Sequence, residues 1–195
     1  MREFRLNATV DAGLLGEVTQ ALLGAIFFHR LFGVVRPAKE RELLDVSFPG
    51  VEDPVLQAAI ADKVAAFLPS MLPAPATAAG LEGRQAQTGQ VVVSFLEKQT
   101  RKAWFSKSEL QVAWEEWVLD MTALHPRTEA ERAELRRSME ADLRHLLLNI
   151  LTLTDEYKDH IPPITTSDAN PFPYQISIPA NDSWGAVLKK LAQPS

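Results

Sequence analysis

The sequence contains no cysteine among its 195 residues. A disulfide framework and a thiolate zinc site are therefore both excluded, and the chain is compatible with a reducing compartment. Basic residues are also few, since 20 Lys and Arg stand against 25 Asp and Glu, which gives a formal charge of −5. Because non-specific nucleic-acid binding depends on positive charge that releases counterions, we expect no nucleic-acid partner.

Long uninterrupted hydrophobic runs are absent as well. The N-terminus carries Glu3 almost at once and has no such run before Asp11, so it does not resemble a signal peptide. The apolar segment 14–32 is interrupted by Glu17, Gln20, His29 and Arg30, which predicts a buried core helix rather than a membrane span. With 46% hydrophobic and 23% charged residues, the chain predicts one globular domain over 1–195 and a cytoplasmic protein.

Familiar catalytic and metal-binding motifs are missing too. The sequence has no G-x-x-x-x-G-K-S/T loop, no G-x-G-x-x-G and no G-x-S-x-G, and its four histidines are far apart, without an H-E-x-x-H spacing. The acidic cluster Asp155, Glu156 and Asp159 lacks the glycine and terminal Glu of a calcium loop and is typical of a solvated surface. No nucleophile, base and orienting group come together, so we predict a non-enzyme with no cofactor and no metal.

Hydrophobic periodicity predicts an α+β fold with three long helices and six to eight short strands. Two helix starts are marked, by Asp53-Pro54 and by the capping box that begins at Thr128. The segment 69–88 is rich in Pro and Ala, and we predict a mobile surface loop there. The predicted helices cover 11–32, 53–69 and 128–157, with a short fourth at 183–191, and the predicted strands include 4–10, runs near Val34-Val35 and over 43–48, and 174–178.

The most unusual segment is Arg101-Lys102-Ala103-Trp104-Phe105-Ser106-Lys107, which sets two adjacent aromatics among cations. Both flanks alternate apolar and polar residues as half-buried strands do, so the heptad is predicted as the end of a finger-like hairpin tip over 98–109. A large aromatic left in water costs about 1.5–3 kcal/mol, so an exposed pair indicates a contact site. In the alternative, both rings fold back onto the domain and only the lysines are exposed.

The second flank changes its apolar parity between Trp114 and Trp117. A one-residue bulge at Glu115-Glu116 would place both tryptophans on one side of the sheet. Without a bulge they would lie on opposite faces. In either case large aromatics in regular strands predict core positions rather than a site.

The order of these elements resembles that of HORMA domains and, more narrowly, the autophagy-related protein 101 family. The resemblance is spread over most of the chain and follows the family's order. Its motifs are Phe28-His29-Arg30 at the end of a helix, Trp104-Phe105-Ser106 at the tip, the strand Trp114-Glu115-Glu116-Trp117, and Pro173-Tyr174-Gln175-Ile176-Ser177.

The resemblance implies one non-catalytic HORMA domain, with three long helices on a mostly antiparallel sheet and a protruding aromatic-tipped hairpin. It implies that the chain pairs with and stabilises the HORMA domain of autophagy-related protein 13 in the autophagy-initiation kinase complex. It further implies recruitment of downstream autophagy factors to the phagophore assembly site. The recruiting residues would be Trp104 and Phe105, with Arg101, Lys102 and Lys107 beside them.

Two other functions stay open from the sequence. A membrane-surface module would insert Trp104 and Phe105 among lipid headgroups, while the surrounding cations contact anionic lipid. These cations are Lys98, Arg101, Lys102 and Lys107. An enzyme would use the loop 69–88 as a lid over polar residues that face a cavity, and the sequence offers no candidates for them.

Overall fold

The computed structural model of the chain describes residues 1–33, 40–72, 86–103, 106–165 and 170–179. Three long helices and a mixed sheet make this an α+β fold, as the sequence predicts. In chain order the elements are β1 (Arg2–Asp11), a 3-10 turn (Ala12–Leu14), α1 (Leu15–Arg30), β2 (Arg41–Leu43), β3 (Val46–Phe48), α2 (Pro54–Met71), β4 (Gln87–Ala103), β5 (Ser106–Leu124), α3 (Glu129–Glu156) and β6 (Tyr174–Ser177).

The main sheet has four strands in the order β1-β5-β4-β6. β1 lies parallel to β5, whereas β4 is antiparallel to both β5 and β6. The strand β6 confirms the one predicted over 174–178. The HORMA assignment goes beyond this topology and stays a prediction, and the predicted helix at 183–191 lies outside the described residues.

β2 and β3 form a separate hairpin in the region where the sequence predicts strands near Val34-Val35 and over 43–48. The second prediction is partly wrong, because a turn interrupts that segment. Leu44 and Asp45 have positive φ values of 53° and 57°, which is the geometry of the tight turns that match the twist of antiparallel strands. Val34 and Val35 lie outside the described residues.

The core lies on one face of the main sheet. Along β1 the predicted alternation is confirmed, since Phe4, Leu6, Ala8 and Val10 are buried while the residues between them are exposed. Every second residue of a strand points to the same face, so β1 contributes one continuous apolar row.

α1 is the central helix of the core and contacts both α2 and α3. Leu22, Ile26 and Phe27 have no exposed surface at all. By length and composition the stretch Ala12–Arg30 is the one helix in the described part of the chain that would be able to cross a membrane. Half of it is buried inside the fold, however, and packing against two other helices accounts for its apolar surface.

α2 begins where the sequence predicts. The Asp53 side chain accepts hydrogen bonds from the backbone N–H groups of Val55 and Leu56, and Pro54 takes the first helical position. The predicted end at Pro69 is wrong, because the helix continues to Met71. Proline removes one helical hydrogen bond, but the side chain of Met71 is fully buried, and this burial favours one further half-turn.

The predicted loop 69–88 is consequently shorter at both ends. Its first three residues belong to α2, and β4 begins at Gln87. Positions 73–85 lie outside the described residues, so their mobility stays a prediction. Gly89 marks a close approach of β4 to α2, because a Cβ atom there would lie 2.6 Å from the Met71 sulfur and 2.9 Å from the Phe67 ring.

α3 begins in solvent and ends against the core, as predicted from its charged first turns. The capping box is present, since the Thr128 hydroxyl accepts from the Glu131 N–H and the Glu131 carboxylate accepts from the Thr128 N–H. The buried positions follow helical spacing toward the C-terminal half of the helix. They are Met139, Leu143, Leu146, Ile150 and Thr154.

Candidate functional site

β4 and β5 continue together well beyond their neighbours in the sheet. β6 pairs with β4 at Val92–Phe95, and β1 pairs with β5 from Glu115 to Leu124. In the described chain no third strand pairs with 96–103 or 106–113, which bind each other through eight paired positions. We call these two segments the ribbon. At about 3.3 Å per residue, eight positions span roughly 25 Å.

Side chains become exposed within a few residues along the ribbon. Phe95 is fully buried just before it, Leu96 and Val112 are half-buried, and Leu110 is 44% exposed. The ribbon therefore extends away from the core. Its outer part coincides with the hairpin predicted over 98–109.

Three of the predicted site residues lie on the paired backbone of the outer ribbon. Arg101 is the register partner of Ser108, and Lys102 is the register partner of Lys107. The sequence of 97–109 contains four Lys or Arg residues and two Glu residues. The outer ribbon thus carries a local positive excess on a chain whose formal charge is −5.

The two predicted aromatic contacts are adjacent to the ends of the paired strands. Pairing ends at Ala103 on β4 and at Ser106 on β5. Trp104 and Phe105 follow and precede these residues in the sequence and lie outside the described residues. Their part in a contact stays a prediction.

β5 contains one residue more than β4 at the point where the ribbon meets the body. Phe95 pairs with Glu115 and Leu96 pairs with Ala113, so Trp114 forms a bulge. The predicted bulge position, Glu115-Glu116, is therefore wrong by one residue, but its consequence is confirmed. Trp114 and Trp117 are both core residues, with 6% and 0% exposure.

Immediately after the bulge lies a carboxylate that has no exposed surface, that of Glu115. Arg30 Nε donates to both of its oxygens, at 2.8 Å and 3.0 Å. Trp117 Nε1 donates to Oε1 at 2.5 Å, and His160 Nε2 lies 2.7 Å from Oε2. We call Arg30, Glu115 and His160 the buried polar cluster. Every charge-bearing atom of the carboxylate is thus engaged, as burial of a charge requires.

Arg30 uses its remaining nitrogens to bind the C-terminal end of α3. One terminal nitrogen donates to the carbonyl of Thr154 at 3.1 Å and the other to the carbonyl of Tyr157 at 3.0 Å. The last carbonyls of a helix have no partner within the helix, and a cation there also complements the helix dipole. Arg30 therefore joins the ends of α1 and α3 to the base of the ribbon.

His160 lies between two aromatic rings at the edge of the cluster. Its ring is 5.6 Å from that of Trp114 and 6.2 Å from that of Phe4. Its Nδ1 and the Trp114 Nε1 are buried and have no hydrogen-bond partner within the described residues. The side chain of His160 is 19% exposed, so it closes the cluster toward solvent.

The buried polar cluster was not identified from the sequence. His29, the neighbour of Arg30 on α1, is only half-buried, and burial together with Arg30 lowers its pKa below the ordinary value of 6.5. A signal was present in the parity of β5, because Glu115 falls in register with buried Trp117 and Leu119. A charged residue on the apolar face of a strand predicts a buried partner of opposite charge.

A cavity of about 410 Å³ lies between α1, β3 and α2. Its lining includes Gln20, Arg41 and Gln57 but no His, Asp, Glu, Ser or Lys. The described residues also contain no group of three His, Asp or Glu side chains placed to bind a metal ion. The cavity therefore offers neither a nucleophile nor a general base.

The protein-family model described as Autophagy-related protein 101 matches residues 7–168. This match covers most of the chain, including the whole ribbon and the buried polar cluster.

The chain belongs to the autophagy-related protein 101 family.

Two relatives agree with this assignment. Autophagy-related protein 101 of Schizosaccharomyces pombe is 29% identical over 178 residues, which are 90% of this chain and 86% of the relative. Autophagy-related protein 101 of Arabidopsis thaliana is 26% identical in an alignment 192 residues long, which covers 88% of this chain and 84% of the relative. A role in autophagy follows from membership of this family, which is regulatory and is not known for an enzymatic activity.

Proposed function

We propose that this protein is a non-catalytic scaffold and adaptor in autophagosome formation, located in the cytoplasm and at the phagophore assembly site. It pairs with the HORMA domain of autophagy-related protein 13 within the autophagy-initiation kinase complex and stabilises that domain. It recruits downstream autophagy factors through Trp104 and Phe105. The observation that supports this most is the ribbon, whose paired strands end on either side of these two residues.

The ribbon separates two tasks in space. The four-stranded body and the three helices contain the core, whereas the outer ribbon has no third strand beside it in the described chain. A contact at its end is then roughly 25 Å from the point where the ribbon meets the body. One partner can bind the body while another binds the end of the ribbon.

Aromatic side chains are the residue type best suited to such an end. Trp and Phe combine a large contact area with few rotatable bonds, and a central aromatic anchor contributes about 2 kcal/mol or more to binding. The cations Arg101, Lys102 and Lys107 stand next to them in the sequence. Positive charge of this kind accelerates encounter with an acidic partner surface.

The experiment that tests recruitment is affinity capture from extracts of the source cells, with the wild-type chain and the double variant Trp104→Ala/Phe105→Ala as bait. We expect the variant to retain autophagy-related protein 13 and to lose downstream autophagy factors. Val55→Ala is the matched control, because Val55 is an apolar side chain on α2 that is 77% exposed and far from the ribbon in sequence. Trp104→Ala would contradict the proposal if it lowered the melting temperature by several degrees, since the ring would then be part of the core.

Binding to a lipid surface is the competing outcome, because the same aromatics and cations suit anionic headgroups. Vesicle flotation with and without anionic lipid distinguishes the two. If the tip contacts protein, the wild-type chain should not float with either vesicle. Flotation that requires anionic lipid, fades with added salt and is lost in Lys102→Glu/Lys107→Glu would favour the membrane function instead.

A further inference from the structure

We propose that Glu115 is a positioning residue for the ribbon, and that the buried polar cluster sets the direction in which the ribbon leaves the body. The inference rests on the proposed recruiting function, because a recruiting surface is effective when it is held in a defined place relative to the paired partner. It concerns residues that lie inside the domain, away from the end of the ribbon.

Glu115 lies where the ribbon leaves the four-stranded part of the sheet. It pairs with Phe95 and with Arg2, and is the first residue of β5 that has strands on both sides. The next residue toward the tip is the bulge, Trp114. A bulge bends a strand and increases its twist, so this point decides where the ribbon is directed. A two-stranded ribbon has no third strand to fix that direction farther out.

Side chains from three parts of the fold contact the Glu115 carboxylate. Arg30 comes from the end of α1, Trp117 from β5 itself, and His160 from the segment that follows α3. Three contacts that come from three elements leave the carboxylate a single position. Arg30 is in turn fixed by the carbonyls of Thr154 and Tyr157.

The bulge and the buried polar cluster share one side chain, that of His160. Its ring contacts that of Trp114, which also contacts the rings of Phe95 and Phe172. The bulged residue is therefore buried among rings on one side, while the next residue is bound by charged and polar groups. Both sets of contacts therefore act on two consecutive residues of β5, Trp114 and Glu115.

The choice of residue type also favours a positioning role. Glu115 occupies the apolar parity of β5, where a leucine would extend the row formed by Trp117 and Leu119. A buried ion pair contributes little net stability compared with well-packed apolar side chains, whereas its hydrogen bonds are directional. At this position a glutamate therefore fixes the direction of the strand, and it adds little to the free energy of unfolding.

The test measures the direction of the ribbon in the full chain by double electron–electron resonance. The chain has no cysteine, so two introduced cysteines carry the only spin labels. One pair joins the ribbon to the body, Gln99→Cys with Lys63→Cys on α2, and a second pair lies within the body, Asn7→Cys with Lys63→Cys. All three positions are exposed. Each pair is measured in the wild-type background and in Glu115→Gln.

Glu116→Gln is the matched control, because it makes the same change one residue away. Glu116 is half-buried and its Oε2 accepts from the Ser94 hydroxyl at 3.0 Å. We expect Glu115→Gln to broaden the ribbon-to-body distance distribution and to leave the body distribution sharp. Glu116→Gln should leave both distributions as in the wild type. Unchanged ribbon distances in a folded Glu115→Gln variant would overturn the proposal.

His160→Gln is the second variant, because it removes one support and leaves the Arg30–Glu115 ion pair in place. It should broaden the ribbon distribution less than Glu115→Gln does. If both variants lost the folded state, the cluster would be a stability element of the whole domain, and the positioning role would be wrong.

A binding measurement tests whether the direction of the ribbon affects recruitment. If the binding orientation falls to a tenth of the ribbon population, the apparent Kd for the recruited factor rises about tenfold. Pairing with autophagy-related protein 13 should not change. The resonance measurement contains no partner, so it tests the positioning role even if the recruiting function is wrong. Affinity capture with the wild-type chain tests the recruiting function even if the positioning role is wrong.

Discussion

Replacement of Arg30 by Met gives the sharpest test of the buried polar cluster as a structural unit. Methionine keeps an unbranched stem but removes every nitrogen donor. The Glu115 carboxylate loses its cation, and the carbonyls of Thr154 and Tyr157 lose their partners. Removing one member of a buried ion pair typically costs about 3–5 kcal/mol. For a domain of this size, each kcal/mol lowers the melting temperature by about 2–4 °C, so we expect a decrease of about 6–20 °C.

The matched measurement is a double-mutant cycle with Arg30→Met, Glu115→Gln and the double variant, followed by urea unfolding at fixed pH. A glutamine at 115 carries no charge but retains an oxygen that accepts from Trp117 Nε1. Each single change leaves the other residue without its partner, whereas the double change removes both partners together. The double variant should therefore lose about 0.5–3 kcal/mol less free energy of unfolding than the sum of the two single losses. Strict additivity would refute the reasoning, since it would mean that the two residues act independently.

Two further predictions concern close packing and the histidine on α1. Gly89→Ala should destabilise the fold by about 1–3 kcal/mol in urea unfolding, because its Cβ would meet Met71 and Phe67. The control Gly24→Ala, whose Cβ would meet nothing within 4 Å on α1, should stabilise by about 1 kcal/mol, and equal effects of the two would contradict the packing argument. The lowered pKa of His29 means that the unfolded chain takes up a proton first as the pH falls, so stability is fully present above the ordinary value of 6.5 and decreases below it. His29→Gln should lessen this loss in unfolding curves measured at neutral and acidic pH, and an unchanged pH dependence would show that His29 is not its source.

The elements that sequence reasoning predicts well are those with a local cause. The capping box at Thr128 and the Asp53-Pro54 start are complete within four residues, and both helices begin there. The alternation of apolar and polar residues in β1 predicts one buried face, and this prediction does not depend on which strand lies beside it. Each of these signals depends on residues that are close together in the chain.

The features that sequence reasoning missed depend on distant residues. Pro69 predicts a helix end by its own chemistry, yet the burial of Met71 under β4 extends the helix past it. The bulge falls at Trp114 because the register is fixed by β4 and by rings on other elements. The contact between Arg30 and Glu115 spans 85 positions, a pairing that no local pattern specifies.

The same limit applies to the candidate site. The alternation of the flanking segments predicts the long hairpin, and the structure pairs its backbone as far as Ala103 and Ser106. The contact proposed for Trp104 and Phe105 involves a second molecule, and no pattern within this chain specifies that molecule. Membership of the family supplies the role in autophagy.

The most direct test of the central claim is a thermal unfolding titration of the full chain with the HORMA domain of autophagy-related protein 13. A partner that binds the folded state alone stabilises it by about 2.7 kcal/mol at a hundredfold excess over the dissociation constant. For a domain of this size that corresponds to an increase of about 5–11 °C in the melting temperature. We predict this increase for the wild-type chain and equally for Trp104→Ala/Phe105→Ala. A melting temperature that does not change as the partner is added would contradict the account.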